Sequence, residues 1–464
     1  MMRRNYRIWR SIFFGTAALL LAGCVTFSAD GGMSDVSAMT QQRTGASVNR
    51  TSDAASAATV ATLLSRPLTA DSTVQIALAN NKALQASFNE LGIAEADYVQ
   101  SGRLPNPGFT FGRYRNGADS EIDRSILFNF ASLLALPVRY NIERGRFEQA
   151  KLRAVSAAVT LAGDSRRAFY IAVAAQQTAG FMNQVKDSAE AGAQLAQRLA
   201  KIGNFSALDY ERQQVFYAES MAQFARATLT AASAREALLR ILGMSVNTEA
   251  LLLLDRLPDL PKSLNPVADL ESQAMTQRLD IQLAKRDTEA TASALGMTKA
   301  SRFVNVLDAG YQNRSDTGKT LANGYIVTLE LPIFDWSSGR IKGAEGRYQS
   351  ALNRTADTAV RARSEVRQAA LVWHTQYDLA RHYRDEIVPL RKKIADEIIL
   401  RYNGMLTGVF ELLADAREQA VSVNGAIEAQ RDFWIADTNL QASVSGTGGA
   451  WPETSGVRIG ETKY

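Results

Sequence analysis

Cysteine is almost missing from this sequence: Cys24 is the only one in 464 residues, so no disulfide can form within the chain. Histidine is nearly as scarce. His374 and His382 stand eight residues apart in a helical stretch. That is about 80° around the axis and two turns along it, a poor pair for one metal ion. The main apolar run, residues 11–23, falls short of the roughly 20 residues a transmembrane helix needs. Charge of one sign is lacking too, with 52 Lys and Arg against 47 Asp and Glu, a formal +5. Four of those positive charges are Arg3, Arg4, Arg7 and Arg10, so residues 24–464 carry only +1. No Lys/Arg block stands out, which excludes nucleic-acid binding through a basic surface. Residues 317–320, TGKT, end like a phosphate-binding loop, but position 313 is Asn where such a loop has Gly. They also lie between two strand-like stretches rather than between a strand and a helix. Neither an enzyme nor a metal site is expected.

What the N-terminus does contain is ordered. Four arginines, an apolar run and small residues follow one another as in a secretory signal over residues 1–23. The end of that run, Leu21-Ala22-Gly23-Cys24, resembles the bacterial lipobox, whose cysteine is acylated and becomes the first mature residue. Val25 follows, not Asp, and by resemblance to sorted lipoproteins this favours the outer membrane. A covalent lipid on Cys24 is thus expected, with no other cofactor. Residues 24–65, rich in Ser, Thr, Ala and Gly, read as a flexible lipidated tether.

The rest of the chain repeats itself. GRFEQA (145–150) matches GRYQSA (346–351), and RLPNPGFTFG from Arg103 matches RFVNVLDAGY from Arg302. ALANNKALQA from Ala77 matches AMTQRLDIQL from Ala274, and SALDY from Ser206 matches GVFEL from Gly408. The four matches keep their order, with offsets between 197 and 202. A duplicated unit follows: residues 66–243 and 267–441, joined by a connector at 244–266 and trailed by a flexible tail at 442–464.

Each repeat opens with a helical segment, 73–101 or 267–301, and continues with two strand-like stretches. Ile122, Ile126, Phe128 and Phe130, with Arg124 the exception on their face, alternate with Asp123, Ser125 and Asn129; Tyr325, Val327, Leu329 and Leu331 alternate with Thr328 and Glu330. Polar, Gly-containing loops, RYRNGADSE and QNRSDTGKTLANG, join the strands of each pair. A long helical segment follows, 138–202 or 338–403. At about 1.5 Å per residue it is roughly 100 Å long, which predicts a coiled-coil arm. Breaks at Gly203-Asn204 and Asn403-Gly404 suit helix ends, with both glycines free to take positive φ. Shorter helices return over 207–242 and 409–440. The opening and return helices of a repeat together match the length of its long helix, which predicts a two-layer antiparallel helical wall.

Four strands cannot close on themselves, and open edges are not tolerated in lipid. Membrane-spanning strands therefore require oligomerisation, to eight strands as a dimer or twelve as a trimer. The duplicated order of helix, hairpin, helix, turn and helix, with LPNPGFTFG at the first strand, the spacing of Tyr402, Gly404 and Glu411, and the lipobox, resembles the outer membrane factor (TolC-like) family. The resemblance covers roughly residues 65–441. It implies a mainly α, mixed α/β membrane protein: a homotrimer with a 12-stranded outer-membrane barrel continued by a long α-helical coiled-coil tunnel. It further implies a periplasmic adaptor and an inner-membrane pump of resistance-nodulation-division (RND) type as partners. The function implied is a passive exit duct for drugs, metals or other small solutes. The alternative is a lipid-anchored periplasmic scaffold without a channel.

Within that resemblance, Gly203, Asn204, Asn403 and Gly404 form the helical tips that dock the adaptor. Asp209 lies six residues after Gly203, as the family pattern has it, and its repeat partner is Glu411, with Asp415 one turn on. Repeated threefold, Glu411 and Asp415 would make acidic rings concentrating cations at the aperture. Acids in a first helical turn also simply stabilise the helix N-terminus. Tyr402 matches the family's tip tyrosine, but Gly404 comes one position early against Glu411, and Thr407 stands where some members carry a basic residue.

Overall fold

The computed structural model describes residues 26–50, 53–245, 251–264, 269–301, 306–330 and 333–447; Cys24 and residues 1–23 lie outside them. Two helices, α1 (Met33–Thr44) and α2 (Asp53–Leu64), precede the first repeat, which runs α3 (Ala70–Asn80), α4 (Lys82–Ser101), β1 (Gly108–Asn116), β2 (Asp119–Asn129), α5 (Phe130–Lys201) and α6 (Ala207–Ile241). The second runs α7 (Leu270–Gln277), α8 (Leu279–Ala300), β3 (Leu307–Asp316), β4 (Ala322–Leu329), α9 (Ser338–His382), a π-turn (Tyr383–Ile387), α10 (Val388–Asn403) and α11 (Val409–Ser445). No helix among the described residues is long and apolar enough to cross a membrane.

The chain divides into two compact units. One comprises Met1–Ser34, Phe88–Arg153 and Ile281–Thr358. It holds a four-stranded antiparallel sheet in the order β1-β2-β3-β4, so the hairpins of the two repeats pair through β2 and β3. The loop expected over RYRNGADSE is mostly strand: Asn116 pairs with Asp119, leaving a two-residue turn. In the helices of this unit Tyr98 stacks on Phe147, and its hydroxyl meets that of Tyr140 at 2.5 Å. The Ser28 N–H donates to Glu95 Oε1 at 2.7 Å, which pins the N-terminal segment to α4.

The other unit comprises Asp35–Ser87, Ala154–Asp280 and Ala359–Tyr464. Its first core gathers Leu68, Ile76, Phe169, Val173, Leu238 and Leu251, all nearly inaccessible. Its second is built on Trp373, Tyr377 and Phe433. On α9 the buried residues Val366, Ala369, Trp373, Tyr377 and Ala380 recur at three- and four-residue intervals, the seam of helix-on-helix packing. The connector is held from both repeats: the Leu257 N–H donates to Gln177 Oε1 of α5 at 3.1 Å. Trp434 Nε1 and Gln430 Nε2 donate to the Pro258 carbonyl at 2.9 and 2.6 Å, and the Tyr377 hydroxyl donates to the Pro261 carbonyl at 3.1 Å.

Several boundaries need correction. The flexible tether expected at 24–65 contains α1 and α2, and Val36 and Val48 are 0% and 1% exposed. Small side chains made this stretch look like a linker, but they also let helices approach closely. Each opening helix is broken once, at Asn81 and at Arg278, both with extended backbone. Helix α5 starts at Phe130 and carries Pro137 inside it, so that proline does not delimit the helix. The tail expected from 442 begins later, because α11 runs to Ser445. The second long helix is interrupted by the π-turn just before Pro389. A proline ring clashes with the carbonyl four residues back, and one extra residue in the preceding turn relieves it.

Candidate functional site

The sheet has two unlike faces. The pairing register puts Phe109, Ile126, Tyr311 and Tyr325 in one row across all four strands, with Phe128, Ala309 and Val327 in the next. Phe109, Tyr325 and Val327 are 67%, 88% and 69% exposed. The opposite face carries Glu121, Asp123, Ser125, Gln312, Arg314 and Asp316. Arg314 Nε lies 2.8 Å from Asp123 Oδ1 and 2.9 Å from Glu121 Oε1, bridging the two acids of β2. An exposed apolar face backed by a charged one is the arrangement of a barrel wall between lipid and water. Among the described residues, neither edge strand, β1 or β4, has a partner on its outer side. The inner ion-pair group was not foreseen as a site, although the alternation of Asp123 and Ser125 with apolar residues signals which face it occupies.

The two helical turns lie in the other unit. At the first, Gly203 takes φ +77°, and the N–H groups of Gly203 and Asn204 donate to the carbonyls of Ala200 and Leu199 at 3.1 and 3.0 Å. Ser206 caps α6: its Oγ accepts the Asp209 N–H at 3.1 Å and donates to Asp209 Oδ2 at 2.6 Å. Arg212 Nη1 lies 3.3 Å from the other oxygen of Asp209. That carboxylate is therefore engaged in closing its own helix N-terminus.

At the second turn the positive φ falls on Met405, at +57°, and Gly404 has φ −81°, which corrects the expectation for Gly404. The Leu406 N–H reaches the Arg401 carbonyl at 2.8 Å, and this six-residue closure places the left-handed position one residue beyond the glycine. Met405 and Leu406 are 94% and 81% exposed. Asn403 ends α10, and the Tyr402 carbonyl accepts the Met405 N–H at 3.0 Å. Glu411 is exposed and accepts a hydrogen bond from the Thr407 hydroxyl. Asp415 is only 9% exposed within the chain, so the two acids do not share one solvent-facing surface. Arg417 lies 4.0 Å over the Phe216 ring, which sets the return helices α6 and α11 side by side beyond these acids.

Solved structures place this architecture. A membrane protein from Pseudomonas aeruginosa aligns with a TM-score of 0.69 at 20% identity, over 84% of this chain and 94% of its own. The Campylobacter jejuni CmeC outer membrane channel aligns with a TM-score of 0.70 at 15% identity, over 82% of this chain and 86% of its own. The fold is that of the outer membrane factors. By sequence, the outer-membrane-factor-like chain is similar to the cobalt-zinc-cadmium resistance protein CzcC of Cupriavidus metallidurans, 25% identical over 289 residues. That match takes in 60% of this chain and 66% of the relative's length. No protein-family profile matches the chain.

Proposed function

We propose that this chain is the outer-membrane exit duct of a tripartite efflux system, passively conducting small toxic solutes out of the periplasm. One observation carries the reading: a four-stranded sheet with an exposed apolar face, a charged opposite face and two open edges. Such a sheet is stable in lipid only if copies close it, and three copies give twelve strands. A lipid on Cys24 anchors each chain, and the turns at Gly203, Asn204, Asn403 and Gly404 meet a periplasmic adaptor joined to an RND-type pump. Resemblance to a cobalt-zinc-cadmium resistance protein makes divalent cations the first cargo to test. The acids Glu121, Asp123 and Asp316 on the inner face favour cations over anions in a wet lumen. The duct needs no cofactor.

The test is ion conductance of the purified, heat-modifiable oligomer in planar bilayers, with cadmium, cobalt and zinc sensitivity of a deletion strain as the cellular readout. A correctly folded oligomer that does not conduct sinks the duct and leaves the scaffold reading.

A further inference from the structure

We propose that Arg113, Arg115 and Arg124 form a docking surface for the phosphate groups of anionic lipid headgroups. The proposal rests on the membrane-spanning reading of the sheet and goes beyond it. In the pairing register Arg124 lies opposite Phe111, Arg113 opposite Ile122 and Arg115 opposite Ser120. All three therefore share the face of Phe109, Ile126, Tyr311 and Tyr325, the apolar one. All three are exposed, and none makes an ion pair among the described residues. Arg124 Nη1 has one polar contact, donating to Asn313 Oδ1 at 3.2 Å.

The sheet's acids are elsewhere. Asp119, Glu121, Asp123, Asp308 and Asp316 all fall on the opposite face, where Arg314 also lies. Charge is thus sorted by face: the outward face carries three guanidinium groups and no carboxylate. It is sorted along the strands as well. The ends of all four strands that lead to helices are at one end of the sheet, and the turns are at the other. The apolar rows lie toward the helices, and the arginines follow them toward the β1–β2 turn. An arginine outside a barrel, just past the apolar band, cannot use the lumen's water. Its long stem lies along the apolar band while its planar head reaches the interface, where phosphate matches the guanidinium fork. The continuity of the patch with Phe109 and Phe111 favours lipid over an acidic protein, which would not require an apolar border.

The test compares the full-length chain with the Arg113→Gln/Arg115→Gln/Arg124→Gln variant in detergent, titrated with phosphatidylglycerol, phosphatidylcholine or inorganic phosphate. Arg314→Gln on the inner face serves as the control. Each arginine near an anionic surface is worth roughly fivefold in binding, so the triple variant should hold phosphatidylglycerol about a hundredfold more weakly. The wild-type preference over phosphatidylcholine should fade as salt rises. Inorganic phosphate should neither bind comparably nor compete. If the triple variant folds poorly, Arg115→Gln alone, at the position nearest the turn, should still lose about fivefold. Unchanged phosphatidylglycerol binding in the variants, equal wild-type affinity for both lipids, or inorganic phosphate binding as well as the lipid would each overturn the proposal. Bilayer conductance of the same wild-type preparation separates the two ideas: a conducting protein without lipid preference removes only the lipid surface, and a non-conducting one removes the duct.

Discussion

Gly243 and Gly446 close the same joint in the two repeats. Each lies just past a return helix in the left-handed region, at φ +68° and +75°. Each is pressed against the break in its repeat's opening helix. A Cβ on Gly243 would lie 3.0 Å from the Asn80 carbonyl oxygen, and one on Gly446 2.5 Å from Asp280 Oδ1. Either residue changed to alanine should lose about 1–3 kcal/mol from the left-handed backbone and the contact together. The thermal midpoint of the helical signal measures it. The glycines at 145 and 180 on α5 have nothing within 4 Å of a built Cβ. Alanine at either position should leave the midpoint unchanged or raise it.

The two joints use different chemistry. At the first, Asn81 Nδ2 donates to the Ile241 carbonyl at 2.9 Å. At the second, Arg278, with only 3% of its side chain exposed, donates to the Ser443 carbonyl at 2.9 Å and pairs with Asp280 and Glu365 at 2.7 and 2.6 Å. Arg278→Ala should cost about 2–4 kcal/mol, because it strands two carboxylates beside a void. Asn81→Ala should cost about 1 kcal/mol. Equal losses in the two variants, measured by denaturant unfolding, would contradict this ordering.

Alkaline pH should loosen the helices. Burial, with the Tyr140 hydrogen bond next, pushes Tyr98 up to about 12. Burial, with Asp437 next, does the same to Tyr170. A phenol whose pKa is higher in the folded state keeps its full contribution below about pH 10. It loses that contribution as pH rises toward 12. Tyrosinate absorbance followed together with the helical signal should show these two groups titrating as structure is lost. A Tyr98→Phe variant should show a smaller alkaline loss.

At the second tip, Glu411→Gln should weaken block by multivalent cations added from the periplasmic side. Asp415→Asn alone should change it little, since Asp415 is nearly buried. Single-channel recordings decide between them. A dominant effect of Asp415 would mean that the acid turns outward in the open oligomer.

Removing the proposed lipid attachment should spare assembly. With Cys24→Ala behind a cleavable signal, the contacts from Ser28 onward still pin the N-terminal segment to α4. Migration of unheated oligomer on a gel should be unchanged, and complete loss of oligomer would show that the anchor, not the packing, holds the segment.

How far the sequence could be read depended on what each stretch buries. The β2 alternation was plain because Ile126 and Phe128 face one way and Asp123 and Ser125 the other. Toward the β1–β2 turn both faces are polar, with Arg113 and Arg115 on one and Glu121 on the other, so strand looked like loop. Helix α2, Asp53–Leu64, consists mostly of small residues, and its packing through Val60 leaves no mark in composition. The glycine at 404 pointed to a turn correctly but not to its phase, because the left-handed position depends on which carbonyl closes the helix end.

The π-turn at Tyr383–Ile387 has a consequence for phase as well. One added residue in a helix rotates everything beyond it by about 100°. The apolar spacing of α9 therefore does not continue into α10, and Leu390 and Ile394 can point where an unbroken α5-like helix would have put polar residues. Deleting a single residue from this turn would leave the chain helical and aim the whole second tip in another direction.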